Sequence, residues 1–96
     1  MKGVFNDLFG PSIFLMVLDL FLENPRDLMN VREVARRLGK NPGSISRHLP
    51  LLVDKNYITR TRVGEKIIAY QLDQNNKIVQ LFLEFYEKFE EINSEE

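Results

Sequence analysis

The chain has 96 residues, no cysteine, a single histidine and a formal net charge of −1. That length makes one domain, residues 1–96, with a thin core that gains from a partner subunit. Without thiolates, and with His48 alone, no disulfide framework and no Cys/His metal site can be built. No metal or other cofactor is expected, and the composition suits a reducing, cytoplasmic setting. No secretory leader is recognised at the N-terminus. The apolar run 13–18 is cut by Asp19 and Glu23, short of the ~20 residues that span a bilayer, so no membrane partner is expected.

In chain order, residues 4–9 form a short apolar segment of one or two helical turns. Gly10-Pro11 opens the first long helix, with Pro11 suited to its first position. It runs to about Glu23 and stops before Asn24-Pro25. Its apolar residues point all round the axis, so it must be covered on every side. One side, with Phe14, Val17 and Phe21, is therefore assigned to a second subunit. Asn30 caps the next helix and Glu33 completes a capping-box pattern. Val31, Val34, Ala35 and Leu38 give that helix its buried stripe. Gly39 fits the left-handed position that ends it. Asn41 and Pro42 then start a further helix, 42–55. The three-residue turn 39–41 is the length of a helix-turn-helix connection.

Ile45, Leu49 and Leu52 face inward on helix 42–55. Pro50 sits inside it and denies the Ser46 carbonyl its backbone donor. Because Leu52 and Val53 still need burial, a kink is expected there, with a break at Leu49 as the alternative. Residues 58–62 and 67–72 are β-rich runs around a two-residue turn with Gly64 in its first central position. A very short strand at Leu28-Met29 could join them. A last helix, about 76–92, carries Ile78, Phe82, Phe85, Phe89 and Ile92 at alternating spacings of four and three. That is a heptad seam, expected to pair two copies of the chain. An irregular tail is expected from Asn93.

The small net charge conceals a strong polarity. Arg26 to Lys66 hold ten Lys/Arg against four Asp/Glu, a local +6; residues 1–25 carry −2 and residues 67–96 carry −5. The basic block coincides with the two middle helices and the hairpin, which gives the molecule one electropositive side.

The stretches SISRHLPLLVDKNYITRTR and R-x-G-x-K-x-x-x-Y-x-L, the latter from Arg62 to Leu72, resemble the winged helix-turn-helix transcription regulators, especially the small dimeric ArsR-like group. The resemblance covers about Phe9 to Tyr86. It implies a mainly α fold with a small β-hairpin wing: a core over 10–72, a dimerisation helix over 76–92, and N- and C-terminal helices at the dimer interface. It also implies that helix 42–55 enters the major groove of duplex DNA and that the wing, 58–72, lies on the flanking backbone. Carried over by position, Ser44, Ser46 and Arg47 stand near the exposed start of the reading helix. Arg47 suits a guanine edge. Lys40 and Asn41 suit phosphate at its N-terminal end. Arg36 steers the backbone, and Arg60, Arg62 and Lys66 belong to the wing. Relatives often carry a basic residue after the wing glycine; this chain has Glu65. His48, beside the buried stripe, is expected to be packed and hydrogen-bonded.

A homodimeric, sequence-specific DNA-binding regulator, acting as a repressor, is the expected function. No Gly-rich phosphate loop, paired acids or nucleophile–base set argues for an enzyme. Two readings compete: an architectural protein that coats DNA without sequence preference, and a winged-helix module that binds proteins.

Overall fold

Side-chain caps set most of the element boundaries. The computed structural model describes residues 3–95. Their order is α1 (Val4–Phe9), α2 (Ile13–Glu23), α3 (Val31–Leu38), α4 (Pro42–Asp54), β1 (Ile58–Val63), β2 (Ile67–Leu72) and α5 (Lys77–Ser94). Asparagines cap α3, α4 and α5. Asn30 Oδ1 accepts from Glu33 N–H at 2.9 Å, Asn41 Oδ1 from Gly43 N–H at 2.7 Å, and Asn76 Oδ1 from Ile78 and Val79 N–H. Each satisfies donors that the first helical turn cannot. For α2 the cap is Ser12, whose Oγ accepts from Leu15 N–H at 3.0 Å. The helix thus begins at Ile13, and Pro11 precedes the cap instead of occupying the first helical position.

Helix α1 has no capping side chain of its own. Asp19, from the middle of α2, caps it instead. Its Oδ1 accepts from Phe5 N–H at 2.9 Å and its Oδ2 from Asn6 N–H at 2.8 Å. Tyr86 of α5 donates its hydroxyl to the same Oδ1 and is also 2.9 Å from Glu23 Oε2, while Gly3 N–H donates to Glu23 Oε2. Asp19 is fully buried, and these bonds are what make its burial tolerable. Burial, then the two carboxylates, pushes the Tyr86 phenol well above the ordinary tyrosine value.

One apolar core joins α1 through α5 to the root of the hairpin. Val17, Phe21, Val34, Ile45, Leu49, Leu52 and Val79 are all 0% exposed. This corrects the expectation for Val17 and Phe21. Both lie inside the chain's own core, so neither offers a surface to a second copy. The all-round apolar α2 is covered from within: α1, α3, α4, β2 and α5 all pack on it.

Helix α4 continues through Pro50 without a break. Leu49 and Leu52, on either side of it, are anchored in the core, while Pro50 itself is exposed. The hairpin is antiparallel, with Ile58 opposite Leu72 and Val63 opposite Ile67. Its loop is therefore three residues, Gly64 to Lys66, one more than expected. Gly64 takes φ 78°, a value that suits glycine. Met29 and Tyr70 form a single bridge, exchanging bonds of 2.9 and 2.8 Å, which is the short third strand expected at 28–29. Helix α5 runs through Ser94, so the irregular tail expected from Asn93 is helical over its first two residues; Glu96 lies outside the described residues.

The heptad seam on α5 divides between two faces. Phe82 and Phe89 are half-buried against the domain, in line with the buried Val79 and Tyr86. Phe82 meets Phe5 and Tyr57 edge-on, each at a centroid distance of 5.3 Å. The outward stripe is Ile78, Leu81, Phe85 and Ile92, all exposed. Leu81 stands in it where the sequence pattern placed Phe82.

Candidate nucleic-acid interface

The connection between α3 and α4 is fixed by backbone geometry. Gly39 takes φ 64° and ψ 36°, and its N–H donates to the Ala35 and Arg36 carbonyls. Lys40 N–H donates to Ala35 O at 2.9 Å. This left-handed close turns the chain sharply and leaves Lys40 exposed at the mouth of α4. A Cβ on Gly39 would meet nothing within 4 Å, so only the dihedral demands glycine.

Helix α4 then presents two faces. Ile45, Leu49 and Leu52 are buried, while Ser46 and Arg47 are exposed and Ser44 is half-buried. Local bonds limit some of these groups. Ser46 Oγ donates to Gly43 O at 2.9 Å, so in this rotamer its hydroxyl has only lone pairs to offer. Asn41 Oδ1 is occupied by the cap, which leaves the amide NH2. His48 Nδ1 lies 2.8 Å from Ser44 O. A carbonyl only accepts, so Nδ1 carries the proton, and His48 is the packed, bonded histidine expected.

The cations fall into two groups. Arg36 and Arg37 are neutralised. Glu33 Oε2 lies 2.6 Å from Arg36 Nη2 and 2.6 Å from Arg37 Nε, and Asp27 Oδ2 lies 2.9 Å from Arg37 Nη1. Bonds from Arg36 first, then Arg37, hold the Glu33 carboxyl below its usual range. Glu33, then Asp27, raise Arg37. Glu33 thus serves the arginines, and only the Asn30 half of the capping box forms. The spacing of Glu33 to Arg36 and Arg37, three and four along a helix, is the sequence signal for this network. The same Glu33 also fits a capping box, so the spacing alone does not say which role it takes.

The second group is uncompensated. Lys40, Arg47, Arg60, Arg62 and Lys66 are exposed, and among the described residues none of them has an acidic partner within ion-pair distance. Arg60 lies opposite Tyr70 and Arg62 opposite Ile68. Cross-strand partners share a face, so both arginines project from the face that buries Ile58, Tyr70 and Leu72 nearer the hairpin root. Lys66 ends the loop. Lys66, Ile67 and Ile68 together line a cleft with Asn30, Val31 and Arg32 at the start of α3, so the outer wing stands beside α3. Among the described residues no cluster could hold a metal ion, and no helix is long and apolar enough to cross a membrane.

Residues 12–62 match the family model of the IclR helix-turn-helix domain. The chain belongs to the IclR helix-turn-helix family. The match runs from the α2 cap through β1, so it contains the turn, α4 and the arginines of β1. The matched segment is accordingly a winged helix-turn-helix of the DNA-binding regulator type. No curated protein matches the sequence significantly.

Solved structures share the fold at low identity. A possible transcriptional regulator from Methanosarcina mazei superposes with a TM-score of 0.67 at 14% identity, covering 98% of this chain and 82% of its own. The homodimeric winged helix-turn-helix DNA-binding domain Mb0332 from Mycobacterium bovis, a possible ArsR-family regulator, gives 0.66 at 21%, with coverages of 85% and 71%. ZitR from Lactococcus lactis gives 0.68 at 14%, with coverages of 83% and 63%. In another ZitR structure the matched share is 57%, so the IclR-type chain spans about six tenths of the ZitR chains. The winged-helix resemblance read from the sequence therefore holds at the level of fold, and the family matched is that of IclR, where the sequence reading favoured the ArsR-like group.

Proposed function

We propose that the protein is a sequence-specific, homodimeric, cytoplasmic repressor that places α4 in the major groove and the hairpin on the adjacent backbone. The observation that carries the reading is the contrast between the cations. Arg36 and Arg37 of α3 are paired with Glu33 and Asp27, while Arg32 at the start of α3 and Lys40, Arg47, Arg60, Arg62 and Lys66 are exposed and, among the described residues, have no acidic partner within ion-pair distance. Exposed cations without carboxylate partners are what phosphate recognition uses. Arg47 is the base-reading residue. Ser44 and Ser46 supplement it at the groove. Lys40, the Asn41 amide, Arg60, Arg62 and Lys66 hold phosphates, and Arg36 acts only if DNA draws it from Glu33. Residues 10–72 form the reading module and 76–92 the pairing arm.

The dimer would form along the outward stripe of α5, with Ile78, Phe85 and Ile92 from the expected seam and Leu81 added. Phe14, Phe82 and Phe89 are half-buried at its margin. That Mb0332, which shares the fold, is homodimeric supports a dimer. Repression would follow from two reading helices about 34 Å apart occupying a pseudo-palindromic site.

Selection of bound sites from random duplex DNA tests specificity: an enriched pseudo-palindrome is expected, and no enrichment sinks it in favour of an architectural role. With the selected site in hand, Arg47→Ala should weaken binding about tenfold or more and relax the preference at one base pair. An unchanged gel shift removes Arg47 from the reading role.

A further inference from the structure

A concave pocket of about 320 Å³ opens between α1, α2, α5 and the turn that joins α4 to β1. It is separate from the cationic row, and the outward stripe of α5 does not line it. Phe5, Phe9, Phe14, Tyr57 and Phe82 contribute aromatic rings, with Leu15 and Leu18 completing the apolar wall. The size lies at the lower end of small-molecule sites, roughly 300–1,000 Å³. Tyr57 and Phe82 meet edge-to-face at 5.3 Å, as do Phe5 and Phe82, so a flat guest can meet both ring edges and ring faces. One charged residue belongs to the lining, Lys55. It is exposed, and among the described residues it has no acidic partner within ion-pair distance. A lysine in such a place packs its stem on the apolar wall and leaves its ammonium for solvent or an anion.

We propose that this pocket binds a small planar aromatic carboxylate, its rings among Phe5, Phe14, Tyr57 and Phe82 and its carboxylate on Lys55. The ligand class follows from the lining. Aromatic walls select a flat apolar body, and one uncompensated cation selects a single negative charge. Lys55 caps the end of α4 and Asn56 follows with φ 63°, so an occupant bears directly on the turn between reading helix and wing.

The test uses the full chain and 2-naphthoate, with neutral 2-naphthamide as its counterpart. The sequence has no tryptophan, so excitation to the red of the tyrosine band reports naphthalene fluorescence without a protein background. Saturation below about 1 mM is expected for naphthoate, the weak end of specific binding, and weaker binding for the amide. Lys55→Met should weaken naphthoate about tenfold, as loss of a charged hydrogen bond does, and leave the amide unchanged; Lys55→Arg should restore it. Leu15→Phe, which fills the pocket, should weaken both, with thermal unfolding confirming the fold of each variant. Absence of saturation, equal binding of acid and amide, or indifference to both Lys55→Met and Leu15→Phe overturns the site. Binding that disappears as protein concentration rises also overturns it, since a second copy then occupies the pocket. None of these readouts involves DNA, so failure here and failure of the repressor reading are separate results.

Discussion

At the scale of single residues, Asp19 is the charged side chain that lies fully buried among the described residues. Two backbone donors and one phenol converge on it inside the core. Asp19→Ala strands the Phe5 and Asn6 N–H groups and leaves the phenol only Glu23, and it should cost about 3 kcal/mol or more in urea unfolding. Tyr86→Phe removes only the phenol and should cost about 1.5–3 kcal/mol, as bonds to charged groups do. Its pH dependence has a definite sign. The folded phenol titrates above its unfolded value, so its stabilisation is complete below about pH 10 and is lost as pH rises beyond it. The stability gap between wild type and Tyr86→Phe should therefore shrink above pH 10 in a pH series of unfolding curves; a constant gap excludes ionisation of Tyr86 as the cause. Asp19 could be read from the sequence only as an interruption in an apolar run. Its partners lie at positions 5, 6 and 86, and no local spacing joins them.

At the scale of elements, caps and turns were the most legible parts of the chain. Asn30, Asn41, Asn76 and Gly39 each act through neighbours within four residues, so their chemistry is local and the sequence displays it. Face assignment was harder. A heptad pattern on α5 looks alike whether its partner is another chain or the domain itself, and only tertiary packing turns Phe82 and Phe89 inward and Leu81 outward. Among candidate site residues, the exposure of Arg47, Lys40 and the wing cations follows from periodicity, whereas the neutralisation of Arg37 requires Asp27 from a loop. Two substitutions probe the elements. Gly39→Ala meets no steric obstacle, so its cost should be that of the left-handed dihedral alone, about 1–2 kcal/mol. Pro50→Ala restores a donor to the Ser46 carbonyl at an exposed position and should raise stability by about 1–3 kcal/mol. A neutral or negative result in thermal unfolding would mean that the proline ring packs better than its exposure implies.

At the scale of the whole molecule, the exposed large apolar side chains concentrate on α1 and α5, with Leu28, Leu51, Val63 and Ile67 lying among the cationic elements. Cations occupy the turn, α4 and wing, and the outward stripe of α5 lies among glutamates. The molecule has principal extents of 48 × 28 × 19 Å. Two predictions belong here. Leu81→Glu should shift sedimentation at micromolar concentration to monomer with little loss of fold, since Leu81 is exposed; a dimer that survives places the interface elsewhere. Lys66→Ala should flatten the dependence of log affinity on log salt by about 0.9 per phosphate contact removed, with no change in the selected sequence, and an unaltered slope removes Lys66 from the backbone contacts.

The bond from Tyr86 to Asp19 also sets a schedule. The two residues are 67 positions apart, so during synthesis α1 and α2 leave the ribosome long before the phenol that closes their junction. Until then the Asp19 carboxylate has only backbone amides and water for company. The first helices of the nascent chain should accordingly be held weakly and become protease-resistant together, when the last helix emerges. A chain stalled before Tyr86 would carry the whole of α4 and the hairpin on an unfastened base.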